Sequence, residues 1–188
     1  EETCYWAGFL AADGNLNEDL TAVALWLNDK DLEHLEAYRN FLEYNGPIYK
    51  NKKLLQSGVV ITGAIIPYVE LSYRFGLHPR KSLTLHPPVL ESDIQKLAFI
   101  RGMFDGDGSC GVYSGRARVS LICATVELAD WVRDSLGLPQ NKLTRAGQAY
   151  NIQYVSSNAQ CFAEAMLIPN TTTLKRKTNI LRTIAEPQ

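Results

Sequence analysis

The chain has 188 residues, 46% of them hydrophobic and 21% charged, with a formal net charge of −1. This is the composition of an ordinary globular protein of one large or two small domains, and it holds no run of about 18 apolar residues of the kind that spans a membrane. The overall charge lacks the basic footprint usual for nucleic-acid binders, but it is unevenly divided: residues 1–92 carry 8 Lys+Arg against 12 Asp+Glu, and residues 93–188 carry 11 against 8.

The first segment, Thr3 to Asp13, reads as a helix with Thr3 as its cap. Asn15 to Leu20 reads as a strand start and turn, and Leu20 to Leu27 as a strong strand. Asn28 or Asp29 then caps a helix to about Tyr44, with Leu32, Leu35, Tyr38 and Leu42 inward. That helix holds much of the first half's acid and is expected to face solvent, away from any nucleic acid. A hairpin follows, Ile48–Lys53 and Gln56–Thr62, with Lys50, Lys52 and Lys53 on its first strand and tip. A helix from Ala64 or Pro67 to Phe75 closes this half. Leu77 to Glu91 connects the halves, stiffest at His86-Pro87-Pro88.

Ser92 opens a helix to Asp107, with Gln95 completing a capping box. A hairpin spans Ser109 to Cys123, with Arg116, Arg118 and Ser120 alternating with Ala117, Val119 and Leu121. Helices are predicted over Thr125–Leu136, Ser157–Met166 and about Thr171–Ala185. Between the first two lies a hairpin, Lys142 to Val155, that turns at Ala146-Gly147. The four cysteines form no CxxC pair and, with three scattered histidines, no zinc pattern. They read as reduced core thiols of an intracellular protein. No signal peptide is visible, and a first residue other than Met is consistent with a trimmed N-terminus.

Two stretches stand out as copies: Trp6-Ala7-Gly8-Phe9-Leu10-Ala11-Ala12-Asp13-Gly14 and Ile100-Arg101-Gly102-Met103-Phe104-Asp105-Gly106-Asp107-Gly108. Asp13 and Asp107 lie 94 positions apart, half the chain length. One copy per half indicates a duplicated unit. Gly8 and Ala12, like Gly102 and Gly106, are four apart and share a helix face. Small residues so spaced let two helices approach closely, which explains glycines that each cost a helix interior about 1 kcal/mol. Helices packed this way about a pseudo-two-fold axis would bring Asp13 and Asp107 together at their ends. Two carboxylates at negative dipole ends require a cation, and hard oxygen ligands with room for water suit Mg2+. Singly, each Asp-Gly pair would read as a turn; the duplication favours a metal site. A calcium loop starting at Asp105 fails because position 12 would be Arg116.

The two stretches resemble the LAGLIDADG motifs of homing endonucleases, in the single-chain form with two motifs. The resemblance covers nearly the whole chain. It implies an α+β fold of two pseudo-symmetric αββαββα repeats, 1–85 and 93–188 with a linker at 86–92. The repeats pack through their motif helices, and antiparallel sheets form a DNA-binding saddle. Ala11 replaces the usual acidic residue at the sixth place, which makes Asp105 an unlikely catalytic group; the eighth-place acids, Asp13 and Asp107, are both present.

The resemblance further implies a monomeric endonuclease that binds a long double-stranded DNA site and cuts both strands across the minor groove. Two or three Mg2+ ions would lie near Asp13 and Asp107 and the adjoining residues Ala12 and Gly106, with Ca2+ as a non-cleaving substitute. Lys81 and Lys177, in the matching stretches Pro79–Leu83 and Leu174–Thr178, are candidates for the lysine that points into the active centre. Asn28 is the candidate for the polar residue at the end of the second strand, where Cys123 departs from the pattern. DNA contacts would come from Asn15, Asn17, Thr21, Lys50, Lys52 and Lys53 in the first half. In the second they would come from Ser109, Tyr113, Arg116, Arg118, Ser120, Lys142, Arg145, Gln148, Asn151 and Gln153, arginine suiting guanine and amides suiting adenine. Thr21, Val23 and Leu25 would be the first-half counterparts of Arg116, Arg118 and Ser120. Either the two apolar ones touch thymine methyls or the register is shifted. A non-cleaving DNA-binding regulator, an RNA maturase and a domain for an unrelated protein partner remain alternatives.

Overall fold

The computed structural model describes residues 1–19, 21–63, 71, 74–139 and 143–186. The predicted start of the first strand at Leu20, most of the predicted helix before Phe75, and Lys142 lie outside the described residues. The order runs α1 (Glu2–Asp13), β1 (Gly14–Leu16), β2 (Ala22–Asn28), a 3-10 turn (Asp29–Asp31), α2 (Leu32–Phe41), β3 (Tyr49–Asn51) and β4 (Gln56–Thr62). A second 3-10 turn (Lys81–Leu83) precedes α3 (Asp93–Asp107), β5 (Ser109–Tyr113), β6 (Arg116–Cys123), α4 (Val126–Leu136), β7 (Thr144–Ala146), β8 (Ala149–Val155), α5 (Ser157–Met166) and α6 (Lys175–Ala185). Each half contributes one antiparallel sheet, ordered β1-β2-β4-β3 and β5-β6-β8-β7.

The motif helices α1 and α3 form the central packing of the molecule, and the reason is steric. A Cβ placed on Gly8 would stand 2.0 Å from the Phe99 carbonyl oxygen, and one on Gly102 would stand 1.9 Å from that of Tyr5. The two backbones therefore touch where the sequence spacing placed the small residues. Nearly all of α1 is buried, from Cys4 to Ala11, so its apolar residues need no amphipathic stripe. Both motif helices pass straight into extended backbone, with Gly14 at φ −74°, ψ 148° and Gly108 at φ −73°, ψ 158°. The Asp-Gly pairs are thus helix-to-strand junctions rather than left-handed turns.

Several boundaries move. Helix α1 begins at Glu2 without a side-chain cap, so Thr3 does not cap it. Helix α2 stops at Phe41, and α6 starts only at Lys175. The capping box of Ser92 and Gln95 forms as predicted, and Thr125 Oγ1 accepts from the Leu128 N–H. The connecting stretch is not a loose spacer: Lys81 and Leu85 are buried, and the Leu85 carbonyl accepts from Thr125 Oγ1 at 2.9 Å. All four cysteines are free thiols; Cys4 and Cys123 are core residues, but Cys161 is exposed on α5.

Candidate functional site

The helix contact fixes where the motif ends arrive. Asp13 closes α1 and Asp107 closes α3, and a Cβ on Gly106 would come within 3.3 Å of Asp13 Oδ2. Both aspartates remain exposed to solvent at this seam between the sheets. Partial desolvation, and then the negative charge of Asp107, push the Asp13 carboxyl up to about 6. Desolvation also raises Asp107, against the pull of Lys177 and Lys81. Because the carboxylates stay open to water, these shifts bear on protonation state far more than on fold stability.

Behind the aspartates lie two lysines, each buried. Lys81 Nζ donates to the Gly14 carbonyl, just past the end of α1. Lys177 Nζ donates to the carbonyls of Phe104 at 2.7 Å and Gly106 at 2.8 Å, at the end of α3. Lysine is favourable there because helix C-termini leave carbonyls unpaired and carry negative dipole charge. Burial lowers both ammonium groups, Lys177 to about 8, while nearby aspartates oppose the drop. The positional match between the repeats thus has a physical counterpart: each lysine braces the end of its own motif helix.

Asp105, at the sixth place of the second motif, is a structural group. It is buried, and its Oδ2 accepts from Tyr5 Oη at 2.8 Å and from the Leu174 N–H at 2.7 Å. Tyr5 Oη also lies 2.9 Å from His34 Nε2. Burial raises the Asp105 carboxyl to about 6 and lowers His34 to about 4. Leu174 is the N-cap of α6, so Asp105 ties the lysine-bearing helix to α1 and α2. The first motif has Ala11 in that place. Sequence reasoning set Asp105 aside but could not see this anchoring role, because Tyr5, His34 and Leu174 are remote from it in sequence.

Asn28 and Cys123 are not equivalent. The pairings Gly14↔Leu25 and Ser109↔Ser120 place Asn28 level with Ala124, and Cys123 level with Leu27. Asn28 is exposed, and its Oδ1 accepts from the Lys30 N–H as a cap of the 3-10 turn, while Cys123 is a core thiol. Trp26 and Ile122 hold the outward places at the ends of these strands.

The sheet faces not covered by helices show which residues can meet a ligand. In the second half Arg116, Arg118, Ser120 and Ile122 of β6 point outward and Ala117, Val119, Leu121 and Cys123 inward. Ser109, Tyr113, Asn151 and Gln153 share that outward face by pairing. The Arg118 guanidinium lies 5.6 Å over the Tyr113 ring, and Asn151 Oδ1 is buried without a protein hydrogen-bond partner. Arg145 pairs with Tyr150, which pairs with core Cys123, so Arg145 belongs to the helix-covered side. Gln148 is exposed in the β7–β8 turn.

The first half corrects the expected register. Val23 and Leu25 are core, and Ala22, Ala24 and Trp26 face outward. Asn15, paired with Ala24, is outward. Lys50 pairs with buried Ser57 and so takes the helix side, whereas Lys52 and Lys53 are exposed in the hairpin turn. Asn17 organises its turn: its Oδ1 accepts from the Ala22 N–H and its Nδ2 donates to Thr21 Oγ1. The first half's acid does lie off these faces, but it is not simply solvated. Asp31 is buried against Arg176 at 3.0 Å, and Glu33 pairs with Lys175, so both tie α6 to the first half. None of the chain's 20 acidic residues lies in any of the eight described strands.

Two pseudo-symmetric repeats, joined through small-residue helices that bring paired aspartates to the seam of two sheets, define the LAGLIDADG architecture. Residues 95–162 match the family model described as a LAGLIDADG-like domain. The fold is that of LAGLIDADG meganuclease I-AabMI bound to uncleaved DNA (TM-score 0.64, 13% identity, covering 96% of this chain and 88% of the other). It is also that of the I-LtrWI LAGLIDADG homing endonuclease bound to target DNA (TM-score 0.67, 13% identity, 98% and 90% covered). The N-terminal LAGLIDADG domain of DUF199/WhiA shares it too (TM-score 0.59, 14% identity, 89% and 82% covered). No curated protein matches the chain. No described helix is long and apolar enough to cross a membrane.

As a cation site, the seam offers oxygen only: the Asp13 and Asp107 carboxylates and backbone carbonyls. Among the described residues no group of three or more His, Cys, Asp or Glu forms a closed cage. A raised carboxyl beside a second carboxylate, open to solvent, fits a hard divalent ion that keeps part of its water. The Gly106 carbonyl already accepts from Lys177, which leaves it one lone pair for such an ion.

Proposed function

We propose that this protein is a site-specific, divalent-metal-dependent DNA endonuclease that hydrolyses both strands of a long duplex. The observation that carries this reading is the seam itself. Paired, solvent-open aspartates stand there, backed by buried lysines, between two strand faces free of carboxylates. Duplex DNA repels acidic side chains and is held largely through its phosphates, so carboxylates present at the seam and absent from the described strands suit a surface that binds DNA and cuts at one place. Similarity to meganucleases bound to DNA supports the same partner.

In this reading Asp13 and Asp107 hold Mg2+ with help from the adjoining carbonyls of Ala12 and Gly106. When bound, the metal would supply Lewis acidity toward the scissile phosphate and a water of lowered pKa. Lys81 and Lys177 keep the two helix ends in place and add positive charge behind the carboxylates, which offsets charge developing on phosphate. Arg116, Arg118, Ser120, Asn151 and Gln153 orient the duplex over the second sheet. Lys52 and Lys53 meet phosphates at the rim of the first.

A second reading, a DNA-binding regulator that does not cut, draws on the lysine amines being committed to helix carbonyls and on the likeness to DUF199/WhiA. One experiment separates the two. A randomised duplex library is incubated with Mg2+, and with Ca2+ in parallel, and cut ends are sequenced. Cutting with Mg2+ that is lost in Asp13→Asn and Asp107→Asn, with retention of DNA preserved, is expected. Retention without cutting by the unmodified protein would establish the regulator instead.

A further inference from the structure

We propose that the two sheets read their half-sites by different chemistry. The first sheet takes thymine methyl groups on an apolar face centred on Trp26; the second reads base edges through arginine and amide hydrogen bonds. This deepens the DNA-binding reading above and rests on it.

The first face is built around a flat aromatic plate. Trp26 on β2, Gly58 on β4 and Tyr49 on β3 form one row across the sheet, by the pairings Trp26↔Gly58 and Tyr49↔Gly58. A Cβ on Gly58 would lie 2.3 Å from Trp26 Cδ2, so the indole rests directly on the glycine. Any larger residue at 58 would lift the ring off the sheet. Tyr49, 47% exposed, flanks it. Around the row lies a shallow depression of about 640 Å³, lined by Trp26, Tyr49, Lys50, Asn51, Lys52 and Val60, with the two lysines at its edge strand and turn. Ala22 and Ala24 complete the outward side of β2.

Among the described residues no outward strand position of this face is acidic or basic, although its half of the chain carries 12 acidic residues; its polar members, including Asn15, Asn51, Gln56 and Thr62, are all neutral. The lysines stand at the rim, at Lys52 and Lys53. An apolar centre of Ala22, Ala24, Trp26, Tyr49 and Val60, with neutral polar residues around it, a basic rim and no carboxylate, matches the major groove of a thymine-containing duplex: methyl groups in the middle, phosphates at the edges. Small and aromatic side chains contact thymine methyls, and the single donors of the Trp26 indole and the Tyr49 hydroxyl lack the bidentate fork with which arginine meets guanine. The outward second face is the opposite case, with Arg116, Arg118, Ser120, Asn151 and Gln153. It can donate to guanine N7 and O6 and pair with adenine. In the DNA-binding reading a single duplex lies over both faces, since each sheet starts from the end of a motif helix at the aspartate seam.

The test uses the unmodified protein with Ca2+ in place of Mg2+. Retained duplexes are selected from a randomised library, and the selection is repeated with Arg118→Ala. The half of the site whose sequence preference relaxes lies under the second sheet. Thymines are then replaced by deoxyuridine, and guanines by 7-deazaguanine, one half at a time. Deoxyuridine is expected to weaken binding about fourfold per contacted methyl in the half under the first sheet. Loss of guanine N7 is expected to weaken binding about tenfold in the other half. Trp26→Ala should remove the deoxyuridine effect. Uridine substitution without effect in the first half would overturn the proposal while leaving DNA binding intact, as would an Arg118→Ala selection unchanged in both halves. If no duplex is retained, the underlying DNA-binding reading fails, and no site exists to substitute.

Discussion

Matching places in the two repeats agree at the seam and diverge with distance from it. Gly8 and Gly102, Asp13 and Asp107, and Lys81 and Lys177 occupy matching places; the two glycines make equivalent contacts, and each lysine donates to backbone carbonyls at the end of its own motif helix, Lys81 to one and Lys177 to two. One strand outward, Ala24 faces Ser120's place and Ala22 faces that of Arg118. The difference follows from what each region must satisfy. At the seam a change in one repeat strikes the backbone or charge of the other, so the halves are constrained together. On the faces a side chain answers only to its own stretch of ligand, and the repeats vary independently.

That comparison can be broken at several points. The largest effect is expected from Gly102→Ala. Its Cβ would meet the Tyr5 carbonyl at 1.9 Å, with backbone on both sides and no flexible side chain to yield. Destabilisation on the order of 3 kcal/mol or more is expected, as for severe overpacking, and Gly8→Ala should match it. Urea unfolding followed by circular dichroism measures both. A mild effect in one and a severe one in the other would show that the helix contact is not symmetric.

Next come the lysines. Lys177→Met should take a donor from each of two helix carbonyls, Gly106 and Phe104, of which Phe104 keeps the Gly108 N–H, at about 1–3 kcal/mol. Lys81→Met, which releases one, should cost less. The same pair tested for cutting separates bracing from chemistry: if both lose activity at a temperature where both remain folded, the amines act on the phosphate as well as on the fold.

The faces are expected to differ in binding. Arg118→Ala should weaken DNA binding by about 1–3 kcal/mol and flatten its salt dependence. Ala22→Arg, at the matching outward place, should strengthen non-specific binding and steepen that dependence. Titrations at two salt concentrations check both.

The smallest effects concern protonation. Cutting should rise as pH passes upward through about 6, where the Asp13 carboxyl loses its proton. It should fall above about 8 if the charge of Lys177 is required. For the metal-free fold the sign runs the other way. A carboxyl raised from 3.8 to about 6 binds its proton more tightly in the folded state, so its stabilising contribution is complete below the ordinary value and is lost as pH rises through about 6. Asp13→Asn should therefore raise the melting temperature slightly at neutral pH. Solvent access to this group keeps the gain below about 1 kcal/mol. Thermal melts at pH 4 and pH 7 in chelator would show it.

The sequence by itself determined the duplication, the helix contact and the pair of aspartates. Those rest on local spacing: residues four apart share a helix face, and a repeat at half-length implies two copies. It also placed Arg116, Arg118 and Ser120 on one side of β6, because strand alternation is strict there. It failed where partners were distant or a register slipped by one. The expected face of Thr21, Val23 and Leu25 is the core face, since apolar residues run through both sides of β2 and no alternation marks the boundary. Lys50 and Arg145, exposed and basic, carry nothing in their neighbours that tells which side of an edge strand they take. Whether Lys81 and Lys177 are solvated or buried, and that Asp105 anchors the helix bearing Lys177, was decided only by tertiary structure. Helix-end carbonyls and buried hydrogen bonds come from residues about seventy positions away in the chain, and local sequence holds no record of who will meet whom.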